Sequence, residues 1–369
     1  FSSIVLAGVV LGIGLLLLHV VRHTPRSSWR NALWLGCVGA AYAAYTYVLR
    51  NNPEEALHFL QYGILGLLLY RSFVHRVRDV TVYVAAVLAG TILGTVDEII
   101  QWVTPRRYWG WRDVWFNGFA CALMQVAIAK GIRPPVISMK VSPPSIRRIT
   151  RLAMTFLVLC GLCFSNRPDR VERLADTFPV LGFLRDNTSA MAEYGYRHHD
   201  PGSGYFFSRL TLEELARLDR ERGAETARIL EEYSDPAKYG DFLARYTPTV
   251  DAFAHEARVH LFRRDNHLNV LLNYELDEKE YASFAAVAIH ENQLLEKYFG
   301  NTMNHTRSYR WPRKRVNELL PFLGSEGEYT SSVCGHLIYR FTEGQIWMLL
   351  LSGVAALVFI DSTLGKTGN

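Results

Sequence analysis

Apolar residues in this chain come in blocks rather than in an even spread. Blocks long enough to cross a bilayer, at about 20 residues each, lie at 3–21, 31–49, 55–74, 80–103, 113–130, 149–165 and 344–361. The pattern predicts an all-α, polytopic membrane helix bundle of about seven spans. The first block is too long for a signal-peptide core, and no small-residue cleavage site follows it, so it reads as a helix. The fifth is the weakest, because Asn117 interrupts its start.

A polar stretch separates the last two blocks. It divides the chain into a transmembrane bundle at 1–165, a mostly helical soluble domain at 166–343, and a final span with a short tail at 344–369. Within the soluble domain, Thr211-Leu-Glu-Glu214 is a capping box that opens a helix to about Tyr233. Leu212, Leu215, Leu218, Thr226, Ile229 and Leu230 supply its apolar stripe. Asp235-Pro236 starts a short helix, and further helices are expected near 251–264 and 277–299. Glu193–Ser208, with its glycines, proline and aromatics, reads as a loop.

Charge follows the same division. Residues 166–343 hold 28 Asp+Glu and 23 Lys+Arg; the rest of the chain holds 7 and 17, within a total net charge of +5. That is an acidic soluble part on a basic-looped membrane part, and it excludes a nucleic-acid-binding profile. In the short loops, thirteen Lys and Arg lie on one side of the drawn spans and four on the other. By the positive-inside rule this places 166–343 outside and the C-terminus inside. The Pro-rich loop 132–148 (IRPPVISMKVSPPSIRR) lies on the basic side, where its cations would sit against anionic lipid.

The candidate chemistry is concentrated at three span ends. Glu54, His58 and Tyr62 are spaced i, i+4, i+8 and share one helix face. Asp97 and Gln101 share a face with Glu98 beside them, and Asp113 and Asn117 repeat the i, i+4 spacing. All three clusters fall at one membrane depth. Charge in or beside hydrocarbon costs about 2.5–3.5 kcal/mol per group on insertion scales, so such residues pair, face a cavity or serve function. Between them lies Thr104–Arg112, and Trp102, Trp109, Trp111 and Trp115 read as an interfacial aromatic belt. Gly90-x-x-x-Gly94 predicts a close helix contact. The histidines of the soluble part (His198, His199, His255, His260, His267, His290, His305 and His336) have no metal-ligand spacing and read as scattered core and surface residues. Cys160 and Cys163, in an apolar run, read as buried thiols.

The two polar stretches together resemble the VanZ-like family of bacterial membrane proteins. Glu54, His58, Phe59, Tyr62 and Leu65 match its first motif; Asp97, Glu98, Gln101, Arg107, Asp113 and Asn117 match its second, in order. The chain departs from the pattern at Glu55, Arg106 and Ala120. The resemblance spans about residues 31–130 and implies action on cell-envelope material, since the founding member is linked to glycopeptide resistance.

Two readings follow. In one, the protein acts at the outer face of the bacterial cytoplasmic membrane and binds or modifies a lipid-linked envelope component, such as a lipid-linked saccharide. His58 is then the acid/base group poised by Glu54, with Asp97 and Glu98 as further catalytic candidates. Tyr62, Gln101, Arg107, Asp113 and Asn117 would bind substrate, Arg107 taking phosphate on its planar fork. In the other, the polar layer is a structural network and the protein is a non-catalytic accessory subunit that contacts other membrane protein subunits. In the first reading Asp97, Glu98 and Asp113 could orient a sugar or hold a divalent cation, although no metal-ligand set or cofactor is assigned; both readings place membrane lipids among the partners.

Overall fold

A computed structural model describes residues 29–49, 53–105, 107, 109–186, 190–323 and 328–366. The expected span at 3–21 and Arg106 lie outside the described residues. The α-helices of six or more residues are α1 (Trp29–Val48), α2 (Pro53–Phe73), α3 (Thr81–Trp102), α4 (Trp111–Val126), α5 (Pro143–Ser165), α6 (Pro168–Thr177), α7 (Leu212–Glu232), α8 (Tyr239–Arg245), α9 (Ala252–Asn273), α10 (Glu278–Tyr298), α11 (Gly300–His305), α12 (Arg313–Leu319) and α13 (Glu343–Lys366). The chain divides into two compact units. One comprises the chain up to Phe164 together with Trp347 onward, the other Ser165–Ile346.

In the first unit four helices are long and apolar enough to cross a membrane: α3, α4 with its π-helical extension to Ile132, α5, and α13 over Glu343–Leu364. α1 and α2 have 20 and 21 residues and coincide with the blocks at 31–49 and 55–74. Polarity is partitioned inside out. α3 exposes Val96 and Ile100 while burying Thr91, Thr95 and Glu98; α4 exposes Trp115 and Phe119 while burying Asn117 and Gln125. A helix in hydrocarbon satisfies its polar side chains against its neighbours and turns its apolar ones to lipid.

Close approach of α3 to α4 is built from small residues. A Cβ on Gly90 would lie 2.4 Å from Cys121 Sγ, and one on Gly94 2.9 Å from Asn117 Cβ. The reciprocal contact sets Gly118 of α4 against Thr91 of α3. Polar bonds then fasten the other helices to α4. Gln125 Nε2 donates to Gly66 O of α2 at 2.8 Å, Cys121 Sγ to Tyr62 O at 3.2 Å, and Tyr42 Oη of α1 to Ala120 O at 2.6 Å. Phe59, Tyr42 and Leu35 pack in the same core.

The second unit packs α7, α9, α10 and α11 around Leu215, Leu230, Phe253, Leu261, Leu294, Phe299 and Met303. The Thr211–Glu214 capping box is present: Glu214 N donates to Thr211 Oγ1 at 3.2 Å, and Thr211 N to Glu214 Oε2 at 2.8 Å. A second box at Asp277 and Glu280 opens α10. Leu212, expected on the apolar stripe, is 43% exposed, because it is the first residue after the cap and precedes the turn that meets the core. The expected loop over Glu193–Ser208 is in part an antiparallel hairpin. Strand β1 (Tyr196–Asp200) pairs with β2 (Gly204–Ser208), with Asp200 opposite Gly204. Asp200 Oδ1 accepts from Gly202 N and Ser203 N and closes the turn, and Gly204 takes φ +81°, a glycine conformation. The turn residues that suggested a loop are those that join the strands.

This unit also buries charge. Glu291, fully enclosed, accepts from Tyr329 Oη at 2.7 Å, Ser331 Oγ at 2.6 Å and the His260 ring at 2.6 Å, with Arg263 at 3.2 Å. Burial alone would raise its pKa, but His260 and these hydroxyls hold it low. Burial likewise opposes ionisation of Glu193, yet His336 and Arg209 hold that carboxyl down at about 2. His255 donates to Tyr246 O at 2.8 Å, and burial pushes its pKa down to about 4.

Two outcomes test this packing. Gly94→Ala forces a methyl into Asn117 and is expected to cost about 1–3 kcal/mol by overpacking; Gly36→Ala, with nothing within 4 Å, is expected to be neutral or to stabilise by about 0.4–1 kcal/mol. Thermal unfolding in detergent would separate the two, and equal midpoints would refute the close contact. For His255, the unfolded imidazole takes up a proton near pH 6.5 that the folded one accepts only near pH 4. Stability therefore falls as pH drops through that window, by at most about 3 kcal/mol from this residue. Melting curves at pH 7 and pH 5 should show the loss, and His255→Asn should lessen it.

Candidate functional site

The N-terminal turn of α2, the last turn of α3 and the first turns of α4 meet at one end of the first unit. They enclose a cavity of about 370 Å³. Its polar wall is Glu54, Glu55, His58, Glu98, Gln101, Arg107, Asp113 and Asn117; Leu49, Phe59 and Phe116 supply the apolar part. The sequence-predicted residues thus converge, with Tyr62 and Asp97 standing beside the cavity rather than in its wall.

Each group has a definite neighbour. Gln101 Nε2 donates to Asp97 Oδ2 at 3.3 Å and to Glu98 Oε1 at 3.1 Å, so one amide bridges two carboxylates one residue apart. Tyr62 Oη donates to the same Asp97 oxygen at 3.4 Å. Glu98, 2% exposed, also accepts from Gly110 N at 3.3 Å, which ties the end of α3 to the turn that starts α4. A Cβ on Gly110 would lie 2.6 Å from Asp113 Oδ2, so the glycine lets that carboxylate lie close against the turn.

His58 stacks on Tyr62 with ring centroids 6.5 Å apart. Its carboxylate partner is Asp97, with Nδ1 4.0 Å from Oδ2. The expectation that Glu54 poises His58 is corrected here, since Glu54 pairs with Arg107 Nη1 at 3.0 Å. A first-turn side chain meets the incoming α3–α4 loop, and that loop supplies the stronger partner. Arg112 pairs with Glu55 at 3.3 Å and lies over the Phe116 ring. Sequence reasoning passed over both Glu55 and Arg112; the signal was their opposite charge at neighbouring helix starts.

The proposed tryptophan belt is also corrected. Trp102 is 6% exposed, Trp109 meets Trp111 edge to face at 5.2 Å, and Trp111 stacks on Phe164 at 4.5 Å. Of the four, Trp115, at 68% exposed, keeps the lipid-facing character the sequence suggested. Trp102 is buried in the bundle, and Trp109 and Trp111 are half-buried against each other and Phe164.

Two features bear on ligand chemistry. Asp97, Glu98 and Asp113 have no Lys or Arg within ion-pair distance among the described residues, so the cavity has more acid than paired base. Asn117 is 3% exposed, lines the cavity, and has a buried Nδ2 with no hydrogen-bond partner among the described residues. A buried donor without an acceptor costs about 1–3 kcal/mol. The Glu54–Arg107 pair, by contrast, is solvent-exposed. Such pairs contribute about 0–1 kcal/mol, so Arg107 can turn to another anion at little cost. No group of three or more His, Cys, Asp or Glu among the described residues is placed to hold a metal ion. In the second unit, an open groove of about 800 Å³ beside Asp200 and Lys297 has those two charges paired with each other.

Comparison of the chain with protein-family models, curated proteins and solved structures finds no match.

If Asn117 is held ready for a ligand, the near-isosteric Asn117→Leu should raise the thermal midpoint of the ligand-free protein, by up to the about 1–3 kcal/mol that the unsatisfied donor costs. A lowered midpoint would mean that the amide serves packing or an internal bond.

Proposed function

We propose that the protein is a VanZ-like, multi-pass membrane protein that binds, and in one form of this reading modifies, a lipid-linked envelope component in the cavity between α2, α3 and α4. The observation that carries the proposal is the buried, unpartnered Nδ2 of Asn117 in a hollow walled by carboxylates. A saccharide suits that wall, because sugar hydroxyls donate to Glu98 and Asp113 and accept from Asn117. Arg107 at the rim suits a lipid-linked phosphate, through bidentate bonding and at the small cost of leaving Glu54. His58 beside Asp97 is the group fitted to move a proton, its imidazole held by a carboxylate and stacked on Tyr62.

The same proposal takes the chain as spanning the bacterial cytoplasmic membrane about seven times, with 166–343 extracytoplasmic and the C-terminus inside. The distribution of Lys and Arg in the short loops supports that orientation. The cavity then opens to the outer leaflet, where lipid-linked wall precursors are used.

A second reading has its own support. Glu98 bonded to Gly110 and Gln101 bridging Asp97 and Glu98 fasten helix ends and need no ligand. In that reading the protein is an accessory subunit of a larger membrane assembly. Native purification followed by lipid and protein mass spectrometry distinguishes the two. Under the first, a phosphate-linked saccharide lipid co-purifies, and His58→Ala and Arg107→Ala each keep the wild-type melting midpoint while reducing bound lipid or its turnover at least about tenfold, the effect of losing one charge-assisted contact of about 1.5–3 kcal/mol. Variants that only lower expression and stability, with partner subunits co-purifying unchanged, would sink the ligand reading.

A further inference from the structure

At the opposite end of α3 lies a second charged site, unconnected to the cavity. The loop that follows α4 folds back on the α2–α3 connection through a parallel bridge: Ser138 N donates to Arg78 O at 2.8 Å, and Val80 N donates to Ser138 O at 3.1 Å. Arg148 Nη1 donates to Arg76 O at 2.9 Å. These bonds bring His75, Arg76, Arg78, Lys140 and Arg148 around one open groove of about 400 Å³.

The groove contains one acid, and its charge is already used. Asp79 is 5% exposed and accepts hydrogen bonds at the starts of two helices. Its Oδ1 accepts from Thr81 N at 3.0 Å and from Thr81 Oγ1, at the start of α3; its Oδ2 accepts from Ser142 N at 3.4 Å, just before α5. None of the five basic side chains makes an ion pair among the described residues. Like charges gathered at this density repel one another, and a bound anion relieves that repulsion. The start of α3 and the start of α5 both face this rim, and the positive ends of their dipoles add to the field.

We infer that this groove binds the phosphate of an anionic phospholipid headgroup. The choice of lipid over a soluble phosphate rests on what surrounds the cations. Val136, Met139 and Val141 are 47%, 82% and 42% exposed on the same loop as Lys140. Apolar tips interleaved with cations are the pattern of a segment seated at the boundary between acyl chains and headgroups. The groove also lies where α3 and α5, two of the helices able to cross a membrane, begin, which is headgroup depth if they cross. The inference uses that crossing and makes no use of the cavity near His58.

The test uses the full chain in detergent, with native mass spectrometry after addition of phosphatidylglycerol or phosphatidylcholine. Arg78→Gln/Lys140→Gln is the informative variant, because the hydrogen bonds made by these two residues come from their backbones. The wild type should retain phosphatidylglycerol over phosphatidylcholine, and raising the salt should release it. The double variant should lose phosphatidylglycerol about twenty-fivefold, at roughly fivefold for each charge near a membrane surface, with phosphatidylcholine unchanged. Equal retention of the two lipids, indifference to salt, or an unaltered double variant would overturn the inference. Displacement of phosphatidylglycerol by millimolar inorganic phosphate would also overturn it, in favour of a soluble-anion site. The salt and headgroup comparisons on the wild type decide the matter even if the variant fails to fold.

Discussion

The approach of α3 to α4 sets the geometry of everything polar in the first unit. Gly90 and Gly94 let the α3 backbone come within contact of Cys121 and Asn117, and a Cβ at either position would force a neighbour to shift. With the helices that close, the last turn of α3 overlies the first turn of α4. Glu98 then reaches Gly110 N, and Gln101 stands across the hollow from Asn117. α2 is drawn onto the same helix by Gln125 and Cys121, each bonded to an α2 carbonyl, which brings Glu54, Glu55 and His58 to that end. The cavity is what remains between three helix ends whose middles are in contact.

The two units treat buried charge differently, and the contrast is informative. Glu291 in the second unit is enclosed by two hydroxyls, an imidazole and a guanidinium. That is how a buried carboxylate is stabilised for its own sake, since removing one partner would leave the charge uncompensated. In the first unit, Glu98 has two neutral donors and an adjacent hollow, and Asn117 has a donor with no acceptor. The bonds around Glu291 are thus closed, whereas the Nδ2 of Asn117 stays open at a cost in stability.

Helix positions were legible in the sequence because apolar run length and capping chemistry act locally. The Thr211–Glu214 box forms as its spacing implies, and Gly90-x-x-x-Gly94 makes the close contact that small residues permit. The convergence of the three polar clusters was also legible, because residues at the same end of adjacent antiparallel spans must share a depth. Pairing was not. Glu54 and His58 share a helix face, yet Glu54 is taken by Arg107, which arrives from a loop whose path no periodicity encodes. Trp102 carries the composition of an interfacial belt and is instead buried in the bundle. The 193–208 stretch holds the residues of a loop and forms a hairpin, because a turn sequence and a loop sequence look alike until the flanking strands pair.

The sequence by itself determined which segments are helical, which are apolar enough to enter a membrane, and that acid, histidine and arginine gather at one level of the bundle. Each of these depends on neighbours within a few residues along the chain, where the spacing of side chains is set by the helix itself. The tertiary structure alone decided which charges pair, that the Nδ2 of Asn117 stays unsatisfied, and that five basic side chains around Asp79 face one groove. Those depend on how far apart two helices stand and how a loop crosses them, and a shift of one or two ångströms exchanges a hydrogen bond for a cavity.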